Sequence, residues 1–191
     1  AIVPLSAETG GINAMIVDSS ALLEQVADDV LASAFTSAGQ RCSALRLLFV
    51  QEDVADRLVQ LISGGMDELL IGDPSQPSWD VGPAIAASAA EKLEEYSQAQ
   101  QKNGVRLLKQ CKLDGLKATG NFFAPRLLEL ASASQLTSEE FGPVLHLVRY
   151  RRDAIYMSCT APPPAMPPHS LDVGLARRRE MVRAAEIFCD A

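Results

Sequence analysis

Apolar positions along the chain follow two alternating rhythms. Asn13-Ala14-Met15-Ile16-Val17 is a short apolar run that reads as a strand, and Asp18-Ser19-Ser20 then supplies helix-capping residues. Leu22, Val26, Val30 and Ala34 or Phe35 recur at helical spacing, with Glu24, Asp28 and Asp29 on the rest of the cylinder. This pattern predicts a helix over 21–36 that stops near Gly39. Leu45 to Gln51 reads as a buried strand, and Val54, Leu58, Leu61, Ile62 and Leu69 mark a second amphipathic helix whose middle is weakened by Gly64-Gly65. Gly72-Asp73-Pro74-Ser75-Gln76-Pro77-Ser78 is a loop by composition, closed by Gly82-Pro83. Helical spacing returns over 86–103 and ends at Gly104. Strands are predicted over 105–109, 122–130 and 144–150, with Thr137 or Ser138 capping a turn before Glu139. Strands separated by helical stretches imply an α/β fold with a mostly parallel sheet flanked by helices.

The rhythm breaks after Asp153. Ala161-Pro162-Pro163-Pro164-Ala165-Met166-Pro167-Pro168 is a proline cluster that no sheet interior accepts, and Arg177-Arg178-Arg179 follows. The chain therefore divides into a catalytic-type segment, 1–153, and an atypical Pro-rich tail, 154–191. The tail has two readings: a shifted reading frame, or a proline-rich linker with a short terminal helix over 175–188.

At 191 residues the chain is about one domain, and a hydrophobic content of 48% fits a globular class. The formal net charge of -7 argues against nucleic acid or an anionic membrane as partner. No apolar run approaches the roughly 20 residues that span a bilayer. The 4 cysteines, Cys42, Cys111, Cys159 and Cys189, have neither paired nor metal-type spacing, and no basic-then-apolar leader opens the chain, so a reducing cytoplasm is the expected setting. His146 falls in a strand pattern and His169 among prolines, which fits neither a Cys-His protease nor a zinc site; no metal is expected, and His146 reads as a satisfied strand residue.

Candidate chemistry centres on Ser37-Ala38-Gly39-Gln40-Arg41-Cys42-Ser43-Ala44, a small-residue turn holding one cysteine. A thiolate is a nucleophile when its pKa is lowered and substrate can approach, and a Gly-containing turn beside Arg41 offers both. Inert packing is the alternative for a cysteine. Cys42 follows a helix C-terminus, where the dipole disfavours a thiolate, so activation must come from elsewhere. Arg41 is one source, set against its reading as a solvent-facing arginine. Cys111, Cys159 and Cys189 have no such context and read as structural.

Glu8-Thr9-Gly10-Gly11 lies upstream of this turn and Glu139-Glu140-Phe141-Gly142-Pro143 far downstream. With these companions the chain resembles the aldehyde dehydrogenase superfamily, which carries an acidic residue before Gly-Gly, a Gly-Gln-Xaa-Cys turn and a Glu-Xaa-Phe-Gly-Pro motif in this order. The wording from Glu8 to Ser20 and from Ala38 to Ala44 resembles the branch that oxidises L-glutamate γ-semialdehyde (1-pyrroline-5-carboxylate) in bifunctional proline-utilising enzymes. The resemblance runs from about Ile2 to Asp153. It implies a truncated aldehyde dehydrogenase-like catalytic domain, NAD as cofactor, a small aldehyde as substrate, a homo-oligomeric parent and a fused proline dehydrogenase domain in that parent. It assigns Cys42 as nucleophile, with its backbone N–H stabilising the oxyanion, and Glu8 as the base that activates water against the thioester. Glu139 would accept hydrogen bonds from the ribose next to the nicotinamide, Phe141 would pack near that ring, and Ser43, next to the nucleophile, would touch a substrate carboxylate or the catalytic turn. The family's nucleotide-binding domain would precede Ala1, so a fragment is expected. A second functional class follows: an inert truncated product or an interaction module without that domain. A dehydrogenase of another aldehyde is the third reading.

Overall fold

The structure, a computed structural model, describes residues 11–114, 116 and 120–151. Glu8 and the tail from 154 onward, with Cys159, His169 and Cys189, lie outside the described residues.

Five strands form one sheet: β1 (Asn13–Val17), β2 (Leu45–Gln51), β3 (Arg106–Gln110), β4 (Arg126–Leu130) and β5 (Val144–Tyr150). Their order is β1-β2-β5-β4-β3. The pairs β1–β2, β2–β5 and β5–β4 are parallel, and only β3 runs antiparallel to its neighbour β4. The sheet is thus mostly parallel, as the alternation of elements implied. Helices α1 (Leu23–Phe35) and α2 (Glu52–Glu68) cover one face and α3 (Ala87–Lys102) the other.

Period-2 alternation assigns the strand side chains to these faces. Leu48 and Val50 of β2, Leu127 of β4 and Leu145 and Leu147 of β5 pack with Val30, Phe35, Leu58, Ile62 and Met66 beneath α1 and α2. Leu47 and Phe49, Leu128 and Leu130, and Val144 and Val148 pack with Leu93 beneath α3. Every residue of β2 is buried, so it reads as a continuous apolar run rather than an alternating one. Arg46 and the terminal Gln51 are the polar exceptions in that run. The register passes from Asn13↔Leu45 to Ala14↔Leu47, leaving Arg46 as the extra residue of a β-bulge.

Two local expectations are corrected. The Asp18 to Ser20 stretch does not cap α1: the N-cap is Leu22, without a side-chain hydrogen bond, while Asp18 Oδ1 accepts from Ser20 N and Oγ in a turn of its own. An Asx-type turn satisfies these groups one step before the helix begins. Neither Thr137 nor Ser138 caps a turn before Glu139: the capping box of this region is formed by Ser132 and Gln135 around the turn Ala133–Gln135, and Ser138 Oγ donates to Glu140 Oε1. Gly64 and Gly65 do not interrupt α2. A Cβ on Gly65 would lie 2.3 Å from Leu31 Cδ1, so this glycine permits the close approach of α1. Among the described residues, no helix is long and apolar enough to cross a membrane.

Candidate active site

Three short segments lead into three neighbouring parallel strands. Gly11 to Asn13 enters β1, Arg41 to Ala44 enters β2, and Glu139 to Pro143 enters β5. Because β1, β2 and β5 are adjacent and parallel, their N-terminal ends lie along one edge of the sheet, and segments up to 128 residues apart in sequence meet there.

The turn before Cys42 is conformationally costly. After α1, Thr36–Gly39 forms a 3-10 turn in which Ser37, Ala38 and Gly39 all have positive φ, at 58°, 52° and 61°. Non-glycine residues in this region cost on the order of 1 kcal/mol or more each and persist when the surroundings hold them. A Cβ on Gly39 would lie 2.2 Å from the Gly142 oxygen, and one on Gly142 would lie 2.4 Å from Leu93 Cδ1. The two motif glycines therefore let the cysteine turn, the Phe-Gly-Pro segment and α3 stack without a gap.

Side chains tie this turn down on every side. Gln40 Oε1 accepts from Ile85 N at 2.7 Å and its Nε2 donates to Pro83 O at 3.2 Å, anchoring the turn to the loop before α3. Asn13 Nδ2 donates to the carbonyls of Cys42 and Ala44, at 2.5 and 3.0 Å. Arg41 is half-buried, and its guanidinium is engaged by α1. Its Nη2 donates to the carbonyls of Ala32 and Ser33 in the last turn of α1.

Glu139 sits across this turn, its side chain only 9% exposed. Oε2 accepts from Gly11 N at 2.8 Å and Oε1 from Arg46 Nη2 at 3.5 Å. The Arg46 guanidinium, 2% exposed, also donates through Nη1 to Gly142 O at 3.0 Å and through Nη2 to Arg41 O at 3.2 Å, and lies 5.4 Å from the Phe141 ring centroid. Burial depresses its pKa, while the Glu139 charge acts in the opposite direction. The bulge at Arg46 leaves its carbonyl free for His146. A carbonyl can only accept, so Nδ1 of His146 carries the proton at that 3.0 Å contact, Nε2 is the acceptor, and the Tyr96 hydroxyl donates to it at 2.9 Å. His146 is thus a satisfied strand residue, with burial pushing its pKa down to about 4.

Of the residues expected at the site, Cys42, Ser43, Glu139 and Phe141 belong to these converging segments. Cys42, Ser43 and Phe141 are exposed, Phe141 at 44%. Cys111 differs from Cys42: it is buried, its thiol donates to Met66 O at 3.2 Å, and burial pushes its pKa up to about 11, which keeps it an inert thiol. Asn13 and Arg46 were not anticipated as site residues. The sequence did carry a signal for Arg46, a lone charge within the apolar run Leu45 to Val50.

Comparison with known proteins places the chain in a family. The model of the aldehyde dehydrogenase family matches residues 1–158. The chain is 51% identical over 156 residues to the bifunctional protein PutA of Klebsiella aerogenes, covering 80% of this chain and 12% of that protein. It is 36% identical over 141 residues to a 1-pyrroline-5-carboxylate dehydrogenase of a Geobacillus species, covering 73% of this chain and 27% of that one. A crystal structure of a bifunctional proline utilization A protein superposes with a TM-score of 0.75 at 55% identity, covering 81% of this chain and 15% of that chain. The chain thus spans only a small part of the relatives it matches. On the motifs, their meeting at one sheet edge and these matches, the chain belongs to the aldehyde dehydrogenase family.

Proposed function

We propose that this chain carries the nucleophile and part of the cofactor site of an NAD-dependent L-glutamate γ-semialdehyde dehydrogenase, which oxidises that aldehyde to L-glutamate in proline breakdown. The observation that carries the reading is the convergence of the Gly11–Asn13, Cys42 and Glu139–Gly142 segments at one sheet edge through the Asn13, Arg46 and Glu139 hydrogen bonds.

Oxidation of an aldehyde to an acid needs an adduct from which hydride can leave. Attack by the Cys42 thiolate forms the C–S bond of a thiohemiacetal, with the new oxyanion facing the Cys42 N–H. Collapse of that adduct expels hydride and leaves a thioester on Cys42. The nicotinamide supplies the hydride acceptor when bound. Glu8 then deprotonates the water that cleaves the thioester, releasing the acid and the Cys42 thiol. Ser43 contacts the substrate's carboxylate.

Glu139 fits a ribose. A carboxylate offers about four acceptor positions, and one bond to each oxygen leaves capacity for two sugar hydroxyls. The exposed Phe141 ring beside it suits an aromatic cofactor ring. A homo-oligomeric parent with a fused proline dehydrogenase domain, in the cytoplasm, completes the proposal, as does an end of the catalytic segment near 153. The matched relatives named as bifunctional PutA proteins support the fused domain.

Nicotinamide reduction at 340 nm tests the reading in the protein that bears this segment, with L-glutamate γ-semialdehyde and either NAD or NADP. Turnover with NAD that disappears in Cys42→Ala, and falls at least about tenfold in Glu139→Gln, is the expected result. Turnover that survives Cys42→Ala removes Cys42 from its role, and a preference for NADP corrects the cofactor.

A further inference from the structure

We propose that Arg46 is a positioning residue that aims the Cys42 backbone N–H and keeps it in register with Glu139. The proposal rests on the reading of Cys42 as nucleophile. A trans peptide is planar, so its C=O and N–H point in opposite directions and neither can turn without the other. The carbonyl of Arg41 and the N–H of Cys42 belong to one such unit. The Arg41 carbonyl accepts from Arg46 Nη2 at 3.2 Å and from Ala44 N at 3.1 Å, so the Arg46 side chain and the turn's own backbone together fix the direction of the N–H on which the oxyanion depends.

The same guanidinium holds the Gly142 carbonyl at 3.0 Å and the Glu139 carboxylate at 3.5 Å, so the peptide, the Phe-Gly-Pro segment and the cofactor carboxylate share one rigid planar fork. Stability alone gives little reason for an arginine here. Burying a cation costs several kcal/mol before compensation, an apolar residue of similar volume packs as well, and Arg46 Nε is buried with no hydrogen-bond partner among the described residues. The preceding turn, with positive φ at Ser37, Ala38 and Gly39, cannot set the peptide's orientation by its own preference, because those conformations need support from outside. Asn13 holds the next carbonyl, that of Cys42, from the β1 side, so the two side chains grip successive peptides around the thiol.

Two reactions of Cys42 that differ only in their need for an oxyanion test this in the 191-residue chain. With iodoacetamide the thiolate displaces iodide and no oxyanion forms. With 4-nitrophenyl acetate the thiolate adds to the carbonyl, the oxyanion collapses, 4-nitrophenolate leaves and Cys42 carries an acetyl thioester. Peptide mass spectrometry assigns both products to Cys42. In Arg46→Met we expect alkylation within about twofold of the parent chain and acetylation slowed about tenfold or more. Arg46→Lys, which keeps a cation but not the fork, is expected to show the same split and serves if the Met variant does not fold. Equal losses in both reactions, no loss in either, or collapse of the fold in both variants assigns Arg46 to structure and overturns the proposal. If the parent chain acetylates Cys42 no faster than unfolded chain does, the reading of Cys42 as nucleophile fails, and the role of Arg46 falls with it.

Discussion

The face of the sheet beneath α1 and α2 is lined by Phe35, Leu48, Leu58, Ile62, Met66 and Leu145, whereas the face beneath α3 carries His146, Arg126 and Ser97 among its leucines and valines. On the first face the side chains need only fill space, and any apolar set of the right volume serves. On the second, His146 depends on Tyr96 and Arg126 on Glu94 at 2.6 Å, with the Phe123 ring 4.6 Å below the Arg126 guanidinium, while Ser97 Oγ has no hydrogen-bond partner among the described residues. The comparison teaches that one face carries stability while the other fixes geometry. The face that fixes geometry adjoins the candidate site, through the His146 contact to the Arg46 carbonyl.

This contrast can be broken most forcefully on the apolar face. Leu58 is fully buried, and Leu58→Ala is expected to cost about 3–4 kcal/mol by urea unfolding, with the same loss at pH 4 and pH 7. A cost below about 1 kcal/mol would mean that α2 is not a core helix.

The polar face should respond to pH instead. Burial lowers the His146 pKa from 6.5 to about 4, so between these values the unfolded chain binds more protons than the folded one. Stability from this group is therefore full above pH 6.5 and lost as pH falls toward 4, by up to about 3 kcal/mol. Carboxylates titrate in the same window, so the measurement is the difference in pH slope between the parent and His146→Gln. Parallel slopes would remove His146 as the source.

The smallest effect sharpens the same face. Tyr96→Phe takes away the hydroxyl that donates to His146 Nε2 and should cost about 1–2 kcal/mol at pH 7, read as a lower urea midpoint with an unchanged slope. A neutral result would mean that water replaces the hydroxyl and that the layer is less dry than its packing indicates.

Much of the fold was legible from local pattern. Leu45–Gln51 and Val144–Tyr150 emerge as strands with the expected bounds, the first from a nearly continuous apolar run that suits a buried parallel strand and the second from its alternation. Asp18 misled, because a residue that can cap a helix can equally close a turn of its own, and nothing local decides between them. Arg41 misled for a related reason. A charge next to a thiol in sequence need not face it, and its guanidinium finds the carbonyls at the end of α1.

The sequence by itself determined the elements, the small-residue turn around Cys42 and the motifs that mark the family, since each rests on residue type and short-range spacing. Tertiary structure decided which strands adjoin. Only the order β1-β2-β5 brings Gly11, Cys42 and Glu139 to one edge, and no short-range rule fixes which strand pairs with which across a hundred residues. It also decided Arg46. The bulge, the burial and the three acceptors of its guanidinium exist only once β1 and β5 have closed on β2, because a buried charge is tolerated where its partners arrive together.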